Sequence, residues 1–268
     1  MSGALGGYRL DLLVVYGFNW KLPASVLRTP RLGVINVHSS LLPRYRGPAP
    51  VLWAIRNGDA EIGLTVHRMD EQFDTGPILA QRGGIALGED VSPQRLWQRV
   101  RPVLDEVLTV ALDEVAKGLP GVPQDDAGAS YAGFVEPEFS LVDWSRTAVQ
   151  VHNQVRMFGF MGPDHAPVAE VGGRWLKVLR TRLRPADGIR VQCADAPIWI
   201  VESAPAQSPL LVAECSGDAL AQCAGLGEDA GNPRRGRDGP DAWTLRCSGH
   251  PVRRRAAGTA SPSPDPRP

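Results

Sequence analysis

The chain has 268 residues, a length that suits one α/β domain with a smaller domain beside it. Its 29 Lys and Arg residues balance its 29 Asp and Glu residues, so the net charge favours neither nucleic acid nor a membrane surface as a partner. The four cysteines include no C-x-x-C pair, which argues against both a disulfide framework and a zinc site, and we expect no metal.

Apolar segments are short throughout the chain. No apolar run approaches the ~18–20 residues that a membrane-spanning helix requires, and the first 20 residues lack the order of charged, apolar and small residues found in a signal peptide. The sequence therefore predicts a soluble, cytoplasmic protein without a membrane partner.

Two apolar runs open the chain. Residues 10–18 and 32–38 lack polar alternation, which predicts parallel strands buried on both faces. Residues 49–59 place apolar side chains at helical spacing, and Gly58 is suited to end that helix. This order of elements predicts an α/β fold.

The next elements continue this pattern. Residues 61–69 alternate between apolar and polar side chains, which predicts a half-exposed strand with His67 on its outer side, in a surface or supporting role. A further strand is predicted at 77–87. A long helix at 92–118 is capped by Ser92, and Pro102 is expected to kink or split it.

The second half of the chain has a different pattern of apolar and turn residues. Short strand-like segments between 166 and 204 are separated by turn residues, which predicts a small β-barrel. Beyond residue 204 the sequence is rich in Gly, Pro, Arg and Asp and carries too few apolar residues to form a core. We therefore predict a disordered tail at 205–268.

Polar side chains stand where the second strand ends. Asn36 and His38 are two residues apart and so share one face of the strand, and a Pro-containing turn follows. Ligands of open α/β sheets gather beyond the carboxyl ends of the strands. Asp74 lies in a D-x-G-P loop between two later strands, where it can approach His38. The alternative is that Asn36 and His38 only satisfy neighbouring backbone groups.

These three residue types suit acyl transfer to an amine. An amide donor such as Asn36 can stabilise an oxygen that gains negative charge. A carboxylate beside an imidazole raises the pKa of the ring and orients it, so Asp74 would keep His38 usable as a proton carrier near neutral pH.

Three blocks carry a family resemblance, namely "VVYGFNWKLP", "GVINVHSSLLPRYRGPAPVLWAIRNGD" and "GLTVHRMDEQFDTGPILAQ". In this order they closely resemble the 10-formyltetrahydrofolate-dependent formyltransferase family. The resemblance implies that Asn36, His38 and Asp74 form the catalytic trio, with His38 protonated, and that 10-formyltetrahydrofolate is the co-substrate. It implies a folate site along Ser40, Leu41, Leu42 and Pro43, and a pterin-holding loop that includes Gly17, Phe18 and Leu22.

The acceptor is less clearly marked. Residues 131–183 resemble the linker and C-terminal OB-like domain of methionyl-tRNA formyltransferases, which implies the methionyl group of initiator tRNA as acceptor. Basic residues between Arg174 and Arg184 either contact tRNA phosphates or form a solvated face of the strands. A small amine (N-hydroxy-ornithine or a sugar amine), or water in a folate deformylase, are alternative acceptors.

The resemblance also implies a division of the chain. We expect a Rossmann-like, mostly parallel sheet at 1–125 that lacks the first strands of the family, a linker and helix at 126–165, and an OB-like barrel, incomplete at its end, at 166–204. Because those first strands are expected to be missing, a truncated, non-catalytic remnant is the competing hypothesis.

Overall fold

A computed structural model describes residues 8–208 of the chain. The predicted tail at 205–268 therefore lies outside the described residues from position 209 onward.

The first sheet is mixed rather than mostly parallel. Its four strands, in the order β1-β2-β3-β4, are β1 (Leu13–Tyr16), β2 (Val34–His38), β3 (Glu61–Arg68) and β4 (Ile78–Ala86). β1 and β2 run parallel, whereas β2 with β3 and β3 with β4 run antiparallel. The prediction of a mostly parallel sheet is therefore wrong for the described strands. Apolar runs report burial on both faces, and an antiparallel strand covered on both faces gives the same signal.

Four helices accompany the two sheets: α1 (Ala24–Leu27), α2 (Pro50–Asn57), α3 (Pro93–Ala116) and α4 (Ala148–Met161). α3 begins as predicted, because the Ser92 hydroxyl accepts a hydrogen bond from the backbone N–H of Arg95. It continues through Pro102 without being split. None of the helices within residues 8–208 combines the length and apolar character needed to cross a membrane.

The main core lies between the first sheet and the helices α2 and α3. Ile35 of β2 and Leu64 of β3 are fully buried against Ile55 of α2, and Val107 of α3 covers the sheet. β3 is buried from Ile62 to His67, so the prediction of a half-exposed strand is wrong. Its polar face is covered by other parts of the chain, as the site geometry explains. β1 is less buried than predicted, with alternate residues exposed.

The second sheet is antiparallel throughout. Its strands are β5 (Val168–Val171), β6 (Arg174–Arg182), β7 (Ile189–Gln192) and β8 (Pro197–Pro205), in the order β5-β6-β8-β7. It curls around a separate small core that includes Val178, Ile198 and Ile200. The second sheet thus forms a half-barrel. That this half-barrel belongs to an OB-like domain stays a prediction.

Helix α4 belongs to both cores. Val151 and Val155 pack into the core of the second sheet, whereas Met157 and Phe158 pack into the main core. The predicted domain limits near 125 and 165 stay predictions, and α4 joins the segments on either side of them.

Candidate active site

Asn36 and His38 lie side by side at the carboxyl end of β2. Both are buried, with 7% and 5% of their surface exposed. The strand ends because the chain turns at Ser39, and the Pro-containing turn that follows prevents further pairing. The two side chains therefore reach the same crevice beyond the sheet, as the spacing predicts.

The turn after β2 is tied to the sheet by Thr65 of β3. The Thr65 hydroxyl donates to the Ser40 carbonyl at 2.7 Å and accepts from the Leu42 N–H at 3.2 Å and from Gln81 Nε2 at 2.8 Å. Leu41 lies over Gly63 of β3, where any larger side chain would collide with it. This turn covers the polar face of β3 and explains why that face is buried.

The four residues predicted to line the folate site do not reach the cavity. Ser40 and Leu42 are buried in the turn, with 2% and 4% exposure, and Leu41 packs against the sheet. Neither these three nor Pro43 lines the site cavity described below. Their observed contacts hold the turn in place, so a direct contact of this stretch with folate stays a prediction.

Asp74 is presented by a constrained loop between β3 and β4. Its backbone has φ +55°, a left-handed conformation that Asp tolerates better than most residues. Gly76 follows because a Cβ there would collide with the Arg68 carbonyl. Gln124 fastens the loop, since its Nε2 donates to the carbonyls of Asp74 and Gly76, each at 2.8 Å. The D-x-G-P motif thus fixes one carboxylate.

The Asp74 carboxylate is the centre of the site. Its Oδ1 accepts from Asn36 Nδ2 at 3.1 Å and lies 3.2 Å from His67 Nε2. Its Oδ2 accepts from the Gly47 N–H at 2.7 Å and lies 3.5 Å from His38 Nδ1. The structure therefore brings together the three residues predicted to be catalytic, and adds two partners.

Gly47 can approach Asp74 because it has no side chain. Its φ is +106°, and a Cβ there would lie 2.6 Å from the Tyr131 ring and 2.9 Å from the Ala132 carbonyl oxygen. The glycine of "RYRGPAP" is thus required both by its backbone conformation and by the packing of residues 131–132 over it.

The protonation states of Asp74 and His38 follow from burial and from their partners. Burial alone would raise the pKa of Asp74, but the hydrogen bond with His67, the charge of His38 and the Gly47 N–H together lower it. The pKa of His38 is also lowered, because the desolvation of its buried ring outweighs the attraction of Asp74. The ring is therefore neutral near neutral pH, and the protonated His38 that the family resemblance implies for the reaction stays a prediction.

One hydrogen bond sets the orientation of His38. Its Nε2 lies 2.7 Å from the Tyr45 carbonyl oxygen, so Nε2 carries the hydrogen and donates it. The lone pair of the neutral ring is then on Nδ1, beside Asp74. A proton taken up by Nδ1 is stabilised by the adjacent carboxylate.

A cavity of about 300 Å³ opens onto Asn36, His38 and Asp74. The predicted loop residues Gly17, Phe18 and Leu22 all line it. Further lining residues from the same loop and from later segments include the aromatic or basic side chains Trp20, Lys21, Phe73 and Phe134. Such a mixed apolar and polar cleft suits a ring-containing small molecule. Residues 8–208 hold no cluster of His, Cys, Asp or Glu suited to a metal ion.

Comparison with known proteins shows which proteins this chain resembles. Residues 1–112 match the family model described as "Formyl transferase". The chain is 39% identical over 209 residues to methionyl-tRNA formyltransferase of Citrifermentans bemidjiense, covering 73% of this chain and 64% of that protein. It is 40% identical over 207 residues to the enzyme of that name from Pelobacter propionicus, covering 72% and 63%. By this match, residues 1–112 belong to the formyl transferase family, and the chain is similar to its members over a longer stretch.

The chain spans just under two thirds of the length of these two formyltransferases. Its fold is also similar to that of HypX from Aquifex aeolicus, solved in complex with tetrahydrofolic acid, with a TM-score of 0.57 and 20% identity, covering 88% of this chain and 43% of that chain. At this level of identity the likeness shows the fold alone. It agrees with a Rossmann-like fold of the first sheet and its helices.

Besides the Gly47 N–H, three groups that shape this site were missed by the sequence reasoning. His67 is 1% exposed and contacts Asp74, although the alternation of β3 predicts that it faces outward. Its Nδ1 lies 2.8 Å from the Arg68 carbonyl oxygen, so both ring nitrogens face oxygen atoms. The Tyr45 carbonyl contacts His38 from the turn that follows β2, and the Gln124 amide contacts Asp74 from a segment 50 residues away; no local pattern marks either group.

Proposed function

We propose that this protein transfers the formyl group of 10-formyltetrahydrofolate to an amine, and that the amine is the methionyl group of initiator tRNA. One observation carries the proposal: Asn36, His38 and Asp74 meet within hydrogen-bonding or ion-pairing distance at the wall of a cavity. This geometry matches what direct acyl transfer to an amine requires, and it needs no covalent intermediate with the protein.

His38 is the proton carrier in this reaction. The acceptor nitrogen attacks the formyl carbon, and the C=O electron pair moves to the oxygen. Neutral His38 accepts the proton from the attacking nitrogen at Nδ1, where Asp74 Oδ2 lies 3.5 Å away and stabilises the imidazolium. When the tetrahedral intermediate collapses, the bond from carbon to N10 breaks and N10 takes the proton from His38. The products are the formylated amine and tetrahydrofolate.

Asn36 supplies an amide donor for the oxyanion. One N–H of its Nδ2 donates to Asp74 Oδ1 at 3.1 Å, which orients the amide plane. Asn36 Nδ2 also lies 3.3 Å from His67 Nε2. If His67 directs an N–H toward Asp74, it cannot also accept from Asn36, and the second amide hydrogen is then available to the substrate oxygen.

The folate is placed in the 300 Å³ cavity, with its ring system along the loop that contains Gly17, Phe18 and Leu22. Gly17 has φ +66°, which allows the loop to turn immediately after β1 and bring Phe18 to the cavity. This loop and the catalytic side chains line the same cavity, so the one-carbon unit can lie beside His38 while the ring is held by the loop.

The acceptor is proposed from the relatives rather than from the cavity. Both relatives are named methionyl-tRNA formyltransferase, and the likeness to them extends beyond residue 112 into the second half of the chain. Basic side chains of the second sheet, including Arg174, Lys177 and Arg184, are candidates for tRNA phosphate contacts.

The direct test is a formyl-transfer assay with 10-formyltetrahydrofolate and methionyl initiator tRNA. We expect formylmethionyl-tRNA and tetrahydrofolate to appear in equal amounts. A His38→Ala variant should lose about 10²–10⁴-fold in kcat, the usual contribution of a positioned acid–base group. His165→Ala is the matched control, because His165 is exposed in a turn outside the cavity and its loss should leave kcat unchanged.

Other acceptors serve as contrasting arms of the same assay. Release of tetrahydrofolate with a sugar amine or N-hydroxy-ornithine, but not with methionyl-tRNA, would indicate that the acceptor is a small molecule. Release with water alone would indicate a deformylase. Full activity in the His38→Ala variant would remove the proposed role of His38.

A further inference from the structure

A second cavity, of about 200 Å³, lies between the connection from β4 to α3, helix α4 and strand β6. It shares no lining residue with the cavity at Asn36 and His38. Its function is not part of the formyl-transfer proposal, and the two can fail independently.

The buried His152 of α4 points an unsatisfied nitrogen into this second cavity. Only 4% of His152 is exposed, and its Nδ1 lies 2.8 Å from the hydroxyl of Thr181 on β6. Its Nε2 has no hydrogen-bond partner among residues 8–208. A buried polar atom without a partner destabilises the folded state, so its retention calls for an explanation.

The nearest group to that nitrogen indicates which chemistry it accepts. Glu89 Oε2 lies 3.5 Å from His152 Nε2, at the outer limit of a hydrogen bond, and the Glu89 side chain is 74% exposed. The Glu89 carboxylate thus approaches His152 Nε2 from the solvent side, but it stays too far away for a normal hydrogen bond. A free oxyanion could make the same contact at a normal distance.

Arg156 adds a fixed positive charge one helical turn after His152, on the same face of α4. Its guanidinium donates to the carbonyls of Gly88 and Glu89 and to Asn153 Oδ1, all of them neutral acceptors. No carboxylate within residues 8–208 lies within 4.0 Å of it. Burial lowers the pKa of Arg156, and a desolvated cation of this kind favours an anionic partner.

Strand β6 contributes two more arginines. Arg182 lies 3.8 Å from Asp90, a loose ion pair in which both side chains are partly exposed, and Arg180 is paired with Glu202 at 3.1 Å. The lining thus contains three arginines against two carboxylates, those of Glu89 and Asp90. The pKa of His152 is lowered by desolvation and by Arg156 and Arg182, although Glu89 opposes this, so the ring is neutral and can donate from only one nitrogen.

We propose that this second cavity binds a phosphate-type oxyanion, held by His152 Nε2–H and by the guanidinium groups of Arg156 and Arg182. In the bound state the Thr181 hydroxyl donates to His152 Nδ1, which directs the ring hydrogen on Nε2 toward the ligand. Glu89 moves into solvent, where most of its side chain already lies. Guanidinium groups and a ring N–H together match the several acceptor oxygens of a phosphate.

The test is a titration of the full chain with inorganic phosphate, followed by the ring ¹⁵N and ¹H signals of His152. The signal is assigned by its absence in a His152→Gln variant. We expect a saturable shift. Arg182→Gln should weaken phosphate binding by about tenfold, the effect of losing one charge-assisted hydrogen bond. Arg101→Gln is the matched control, because Arg101 is exposed on α3 and lines neither cavity.

Two results would overturn the proposal. One is a His152 signal that does not respond to phosphate in a saturable way. The other is equal weakening by Arg182→Gln and Arg101→Gln, which would mean that phosphate binds the basic surface without a site. A second arm uses a short single-stranded RNA. Competition between RNA and phosphate for the His152 response identifies a phosphodiester as the source of the oxyanion, whereas a response to phosphate without competition identifies a free phosphate compound.

Discussion

His67 Nε2 lies 3.2 Å from Asp74 Oδ1, while the other oxygen of the same carboxylate lies 3.5 Å from His38 Nδ1. One buried carboxylate therefore serves two imidazoles, and the hydrogen bond with His67 is among the causes that lower the pKa of Asp74. His67 is buried on β3 and acts through Asp74, so it is a positioning residue.

Replacing His67 is expected to change the pH profile as well as the rate. In a His67→Phe variant, Asp74 loses a partner that stabilises its charged form, so the pKa of Asp74 rises and the acidic limb of kcat/KM moves to higher pH. We expect a loss of about 10–100-fold in kcat at neutral pH. His67→Gln, whose amide can still donate to Asp74, should recover part of the rate. A lower rate with an unchanged acidic limb would indicate a purely structural role.

Gly47→Ala is expected to reduce both stability and activity. The new Cβ meets the Tyr131 ring at 2.6 Å, and φ is +106°, so the segment must move and the N–H that donates to Asp74 moves with it. A strained position of this kind costs about 1–3 kcal/mol before the collision is counted. Gly84→Ala is the control, since Gly84 has φ +87° but nothing within 4 Å of the added Cβ. Urea unfolding and the formyl-transfer assay measure the difference, and equal effects of the two changes would rule out the collision.

Thr65→Val is expected to loosen the turn that follows β2. The Thr65 hydroxyl makes three hydrogen bonds in a fully buried position, and valine of the same shape leaves the Leu42 N–H, the Ser40 carbonyl and Gln81 without this partner. We expect the free energy of unfolding to fall by about 2–4 kcal/mol. Thr109→Val, at an exposed position with one hydrogen bond to the helix backbone, should change it by less than about 0.5 kcal/mol. Similar losses in the two variants would contradict the proposed anchoring.

Stability is expected to fall as the pH drops below neutrality. Burial lowers the pKa of both His38 and His152 in the folded chain, so the unfolded chain binds protons at pH values where the folded chain does not. The free energy of unfolding then decreases below about pH 6.5, by up to about 1.4 kcal/mol per pH unit for each ring. His38→Gln and His152→Gln should each flatten this slope in urea titrations between pH 5 and 8. An unchanged slope in both variants would show that the rings titrate normally.

The residue pattern predicts the position of the strands and the catalytic groups better than it predicts the pairing of the strands. Asn36 and His38 share a face because of their spacing, and the D-x-G-P motif places Asp74 in a loop. Whether two strands run parallel or antiparallel depends on which elements meet in space. The apolar runs that form β1 and β2 carry no information on strand direction.

The polar face of β3 shows why alternation fails at this site. Thr65 and His67 occupy positions that normally face water, yet the turn after β2 and the Asp74 loop cover them and satisfy their hydrogen bonds. The cover comes from segments on either side of the strand in sequence, and its presence depends on tertiary packing. For the same reason the pKa of His38 falls although Asp74 acts to raise it, because the sequence does not show how completely the ring is desolvated.

The sharing of helix α4 between two cores limits how this protein can be recombined with others. A chimaera that exchanges the second sheet at residue 166 would separate Val151 and Val155 from the strands against which they pack. A crossover before Thr147 would instead carry Met157 and Phe158 into a foreign main core. Either junction requires compensating substitutions on one side of the helix, so a working chimaera should exchange the helix together with both of its neighbours.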